Sequence, residues 1–187
     1  HYHDNTQPEN LNFLEEVRAL FNRYPGTVAL GEINSEDSMS TLAEYTTAGT
    51  RLHMGYSFAL LSHEFSAKHI KNTVEKFEGK KSDGWPCWAF SNHDVVRVVS
   101  RWGTRLTSRE ARVAFAKSLI ALLGTLRGTI CTYQGEELGL CEAVLEKHQL
   151  HDPFGIEFWP EFKGRDGCRT PMPWPLLQPQ EDARDRR

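Results

Sequence analysis

Three short apolar runs, well separated along the chain, each end in acidic groups. They are Glu32 in VALGEI, Asp94 in the polar triplet Asn92-His93-Asp94 that follows PCWAF, and Glu136 with Glu137 in TICTYQGEE. Carboxylates and an imidazole brought to one cleft can hydrogen-bond a polar ligand and pass protons to and from it. A polar triplet after an apolar run also has a plainer explanation, a strand that has ended in a turn. The recurrence argues for more than that, because chance turns need not place a carboxylate at three of four such ends. Phe58 stands late in the fourth run, LHMGYSFALL.

The elements needed to gather these groups follow from periodicity. Residues 7–24 read as a helix, with Pro8 suited to the first turn, Glu9 near the positive end of the dipole, and Phe13, Leu14, Val17, Leu20, Phe21 and Tyr24 at helical spacing. Residues 27–33, TVALGEI, read as a strand buried on both faces. A helix over 39–48 closes at Gly49, a second strand spans 53–60, and a helix over 67–77 carries Ile70, Val74 and Phe77 on one side. The third strand is 85–90, a helix over 109–126 follows with Thr107 and Glu110 as a capping box, and the fourth strand is 128–133.

Strands alternating with helices imply right-handed βαβ units and a parallel sheet with helices outside. A doubly wound sheet would usually show a glycine-rich phosphate turn after its first strand, and LGEINSED offers only Gly31. Half of a (β/α)8 TIM barrel fits better, and in a barrel the C-terminal strand ends face the ligand. The chain becomes loop-rich after Tyr133. Residues 1–174 thus read as a partial barrel, and 175–187, PLLQPQEDARDRR, as a disordered or non-native tail.

Composition narrows the ligand. With 187 residues, 39% of them hydrophobic, and a net charge of −3 with both signs interspersed, the chain has neither a basic stripe for nucleic acid nor a polybasic membrane patch. No apolar run approaches the roughly 18–20 residues of a bilayer span. Cys87, Cys131, Cys141 and Cys168 lack CxxC spacing and read as reduced structural thiols, which suits a cytoplasmic setting. No cofactor and no metal site are expected. His53, His63 and His69 read as solvated or core-satisfied, the five tryptophans as packing, and Asp83 and Asp152 as turn residues. Glu136 and Glu137 read equally as rim groups or as loop caps.

Taken together, LGEI, FSNHDVVRVVSRWG, GTICTYQGEELGL and GRDGCRTPMPW resemble the α-amylase family of glycoside hydrolases, and within it the bacterial α-glucosidases and oligo-1,6-glucosidases. The similarity runs over residues 1–174 and implies strands 5 to 8 of the catalytic barrel. It implies that Glu32 is the general acid and base, which requires a carboxyl group still protonated near neutral pH. Asp94 would hydrogen-bond sugar hydroxyls and favour the oxocarbenium-like state, His93 would assist as a neutral donor, and Phe58 would wall the glucose pocket. Arg169 would sit at the pocket mouth, tied to Glu137, with Arg165 close by.

The resemblance also implies a nucleophilic aspartate in a motif like GFRLDA, and no such motif occurs in the chain. Glu32 and Asp94 are not the retaining pair, whose carboxyls lie about 5–5.5 Å apart. The chain begins at His1 without methionine and reads as a piece of a longer protein. The expectation is a fragment of a retaining, exo-acting α-glucosidase that hydrolyses terminal α-linked glucose from short oligosaccharides or sucrose, inactive alone. A transglucosidase or sucrose isomerase is the near alternative, and a non-catalytic sugar-binding or interaction module the distant one. Its partner would be a small α-glucoside. Exposed half-barrel edges would also invite self-association.

Overall fold

The computed structural model describes residues 5–80 and 83–174, so the tail expected over 175–187 lies outside the described residues. Helix α1 (Asn10–Phe21) leads into strand β1 (Leu30–Ile33). Then follow α2 (Ser38–Tyr45), β2 (Met54–Ser57), α3 (Ala67–Glu78), β3 (Cys87–Trp88), α4 (Val98–Trp102), α5 (Arg109–Thr125) and β4 (Thr129–Ile130). Beyond β4, among the described residues, come single 3-10 turns and the short helix α6 (Pro153–Glu157).

Each crossover helix starts where a side-chain oxygen satisfies a free N–H of its first turn. Asp37 accepts from Ser40 N in α2, and Ser66 accepts from His69 N in α3. In α5 the cap is Ser108, which accepts from Ala111 N at 3.0 Å, not the expected Thr107. The buried positions then recur at helical spacing: Met39, Leu42 and Ala43 in α2, Ile70, Thr73 and Phe77 in α3, Leu119 and Leu123 in α5. Helix α4 is absent from the sequence expectation. Its five residues, VVSRW, are too few to show a helical period, and its first turn is fastened by a distant group, Ser91 Oγ, which accepts from Val98 N at 2.9 Å.

All strand pairings are parallel. Leu30 to Ile33 of β1 lie beside Met54 to Ser57 of β2, and Cys87 and Trp88 of β3 beside Thr129 and Ile130 of β4. A parallel bridge between Gly55 and Pro86 joins the two pairs, giving the order β1-β2-β3-β4. The strands are shorter than expected, with Phe58–Leu61 turning into a 3-10 helix directly after β2.

One face of this sheet is covered. Ile33, Trp88 and Phe90 from the strands interleave with Leu42, Phe77, Val99, Trp102, Leu119 and Leu123 from the helices. Burying each large apolar side chain of this kind is worth about 1.5–3 kcal/mol. The other face is open at the β1 edge, where Leu30 is 48% exposed and Glu32 is also exposed. Burial of TVALGEI on both faces is therefore not observed: Val28, Leu30 and Glu32 are exposed while Ala29 and Ile33 are buried. Large apolar groups are exposed at Phe13 in α1, at Tyr24 and Val28 ahead of β1, at Val113 and Ile120 in α5, at Ile130 in β4 and at Leu138 after it. Among the described residues no helix is long and apolar enough to cross a membrane.

Candidate active site

Alternation along the strands decides which groups meet. Gly55 faces the helices, since a Cβ there would lie 2.7 Å from both Ile33 Cδ1 and Leu42 Cδ1. Its sequence neighbours point the opposite way, so Glu32 and Tyr56, partners in the β1–β2 register, stand together on the open face. Burial first, then the neighbouring Glu32 carboxyl, push the pKa of the Tyr56 phenol up to about 12. Phe58 follows at the C-terminal end of β2, its ring centroid 6.2 Å from that of Tyr56.

The third strand delivers the polar triplet to the same end. Asn92 Oδ1 accepts from Asp94 N at 2.8 Å, an Asx turn that fixes the loop. Asn92 is 7% exposed, and its Nδ2 has no hydrogen-bond partner among the described residues. That amide is close enough to Tyr56 to draw the phenol pKa slightly back down. Glu32, Tyr56, Asn92 and Asp94 therefore lie in succession across the ends of three adjacent strands.

Asp94 is held by two guanidinium groups. Its Oδ1 accepts from Arg165 Nη1 at 3.0 Å and Arg169 Nη2 at 2.9 Å, while Oδ2 lies 3.5 Å from His93 Nε2. Arg169 also donates to the His93 carbonyl at 2.7 Å. The expected tie between Arg169 and Glu137 is not formed. Glu137 Oε2 accepts from Gly135 N and Glu136 Oε2 from Tyr133 N, each at 2.7 Å, so both close their own loop. Burial pushes the Glu136 carboxyl up, partly offset by its contacts to Tyr133 and Ser91 and by Arg101 and Arg97.

Behind Arg165 stands Asp152, which reads as a turn residue and does more. It caps α6 through Phe154 N and, fully buried, takes Arg165 Nε at 2.8 Å and Arg165 N at 2.9 Å. The Arg165 guanidinium is the main reason its carboxyl is held down to about 2. A carboxyl depressed on folding adds stability above its ordinary value of 3.8, and that stability is lost as pH falls through about 2. Asp152→Asn is therefore expected to lower the melting temperature above about pH 4, with the two curves converging toward about pH 2. Parallel curves over that range would refute the linkage.

The remaining candidates are structural. His53 Nδ1 accepts from Ala29 N at 3.0 Å, and burial, aided by the nearby Arg18 charge, pushes its pKa down. His69 Nε2 lies 3.1 Å from the Ala59 carbonyl. Trp88 and Trp102 are buried and donate to the carbonyls of Arg127 and Ser62. Among the described residues no group of three or more His, Cys, Asp or Glu is placed to hold a metal ion.

Two site residues escaped the sequence reading. Tyr56 was visible in principle, since period-two alternation from Phe58 puts it on the same face. Asp152 left no such signal, because its partner Arg165 is thirteen residues away across a loop.

The profile described as "Alpha amylase, catalytic domain" matches residues 1–180. The chain is 48% identical over 179 residues to a probable α-glucosidase of Rhizobium meliloti (strain 1021), covering 95% of this chain and 32% of the relative. Among solved structures it resembles an α-glucosyl transfer enzyme, XgtA, at 61% identity and a TM-score of 0.86, over 93% of this chain and 32% of the other. It also resembles the trehalose-6-phosphate hydrolase of Bacillus licheniformis at 26% identity and a TM-score of 0.75, over 88% of this chain and 35% of the other. The chain thus spans about a third of the length of these relatives. Its parallel strands and outer helices are part of a barrel, and the chain belongs to the α-amylase catalytic-domain family.

Proposed function

We propose that this chain is the portion of a retaining, exo-acting α-glucosidase that contributes barrel strands 5 to 8, with β1 to β4 in those places. Glu32 acts as general acid toward the glycosidic oxygen and then as general base toward water. Asp94 and His93 hold sugar hydroxyls, and Phe58 walls the glucose site. Arg165 and Arg169 hold Asp94 in place, leaving its Oδ2 beside His93 and the side chain about one-third exposed. The observation that carries this reading is the placement of Glu32, Tyr56, Asn92 and Asp94 side by side at adjacent strand ends.

The open side of Glu32 bears on the mechanism. A general acid must be shielded from water to stay protonated near neutral pH, and here one flank of Glu32 is exposed. The apolar residues exposed beside β1 and β4 are where the rest of a closed barrel would pack, supplying both that shield and the nucleophile. In the isolated chain those same edges would favour pairing with a second copy.

A second reading follows from the likeness to an α-glucosyl transfer enzyme at 61% identity. In it a sugar hydroxyl replaces water as the acceptor. The test compares the isolated chain with a protein carrying it in a complete barrel, on an aryl α-glucoside and on maltose or sucrose. Turnover is expected only with the complete barrel, as glucose for hydrolysis or longer glucosides for transfer. Turnover by the isolated chain would overturn the assignment of the nucleophile to another segment. Sugar binding without turnover in the complete protein would favour a binding module.

A further inference from the structure

We infer that Tyr56 is a positioning residue for Glu32, holding its carboxyl from the neighbouring strand through a phenol hydrogen bond. The inference rests on the reading of Glu32 as the acid and base. Its geometric basis is the β1–β2 register, which sets the two side chains directly beside each other on one sheet face.

The surroundings of Tyr56 suit it to donate toward Glu32. With a pKa pushed up to about 12, the phenol remains protonated wherever a carboxylate works, so it is neither a base nor a competing anion. Its ring is braced by Phe58, 6.2 Å away between centroids. Asn92, whose Oδ1 is committed to Asp94 N, keeps its Nδ2 on the phenol side without a hydrogen-bond partner among the described residues. The phenol oxygen thus has a polar neighbour on the Asp94 side and an acceptor on the Glu32 side. A shift of the β3 loop that carries Asp94 would be felt at Glu32 through this one ring.

The chemical consequence has a definite sign. A donor to a carboxylate favours its charged form, so removing the hydroxyl favours the protonated form. Tyr56→Phe keeps the ring and its contact with Phe58. In the complete enzyme it is expected to move the alkaline limb of the pH profile of kcat/KM to higher pH. It should also lower kcat roughly ten- to a hundredfold, the size of one hydrogen bond to a charged group, with KM nearly unchanged.

The test measures that profile for wild type, Tyr56→Phe and Glu32→Gln, with melting temperatures beside it. A moved alkaline limb at an unchanged melting temperature supports the inference. An unmoved limb in Tyr56→Phe, while Glu32→Gln is inactive, overturns it and leaves the reading of Glu32 intact. Full activity in Glu32→Gln overturns that reading instead, and the inference with it. A direct measurement needs no turnover: with the tyrosine ring carbons labelled in this chain, the Tyr56 resonance should begin to titrate at lower pH in Glu32→Gln than in wild type. No change in that titration would also overturn the contact.

Discussion

Glu32→Gln, made in a protein that carries this chain within a complete barrel, is expected to lower kcat/KM on unactivated α-glucosides by roughly 10²–10⁴-fold. Glutamine preserves the shape of the side chain and the capacity to accept from the Tyr56 phenol, so the β1–β2 register should survive. What it removes is the transferable proton. The loss should therefore depend on the leaving group. An alkyl glucoside or disaccharide needs its departing oxygen protonated, whereas a strongly electron-poor aryl oxide leaves unaided. With such an aryl α-glucoside the first step should remain fast while release of the glucosyl group slows, because the base for water is also missing. A pre-steady-state burst followed by slow turnover is the expected record. A small anion such as azide, which needs no base, should restore turnover on that substrate. Equal losses on good and poor leaving groups would instead show that Glu32 acts by supporting the fold.

The contrast between Glu32 and Asp152 shows where sequence reasoning works and where it stops. The placement of Glu32 at a strand end was legible because a β-branched run must end somewhere, and in a sheet of parallel strands the C-terminal ends share one edge. The polar triplet with Asp94 was legible for the same reason, as were the three longer helices from their apolar spacing. The face on which β1 is buried was not, because composition reports how many apolar residues a strand has and not whether a neighbour covers them. Thr107 and Ser108 are adjacent hydroxyl residues, and only the backbone angles of one residue decide which caps α5. Helix α4 depends on Ser91 and on Arg101, whose guanidinium donates to the carbonyls of Ser62, Leu60 and Phe90, contacts that no window of local sequence contains. The Asp94 to Arg165 to Asp152 chain likewise joins loops that follow different strands. The loops after Tyr133 were not legible either, since without periodicity their shape is set by such long-range polar contacts.

Among those contacts, Arg97 has the largest expected effect on stability. It is 2% exposed, and its guanidinium donates to the Gln134 carbonyl at 2.6 Å and the Cys168 carbonyl at 2.9 Å, joining the loop after β4 to the segment that carries Arg165 and Arg169. Its backbone N–H donates to Glu142 at 2.8 Å, and its guanidinium lies 5.2 Å from the centroid of the Tyr133 ring. Close approach is part of the arrangement: Gly135 has φ +93, and a Cβ there would stand 2.6 Å from Arg97 Nη1. Burial pushes the Glu142 carboxyl up, and the Arg97 contacts partly offset this. Arg97→Met keeps the length and apolar volume but strips both carbonyls of their donor and leaves Glu142 with the Arg101 charge alone. Removing one member of a buried charged set costs about 3–5 kcal/mol, so a loss of that size is expected in urea unfolding. Arg97→Lys should recover only part of it, because a single ammonium cannot reproduce the fork that reaches two carbonyls. The loss should appear first as local opening, with faster proteolysis of the loops around Gln134 and Cys168 than of α3 or α5. Once that segment loosens, Arg165 and Arg169 no longer hold Asp94, so in the complete enzyme KM should rise before the fold is lost. A variant within about 0.5 kcal/mol of wild type, with unchanged proteolysis, would show that the loops are held by other means.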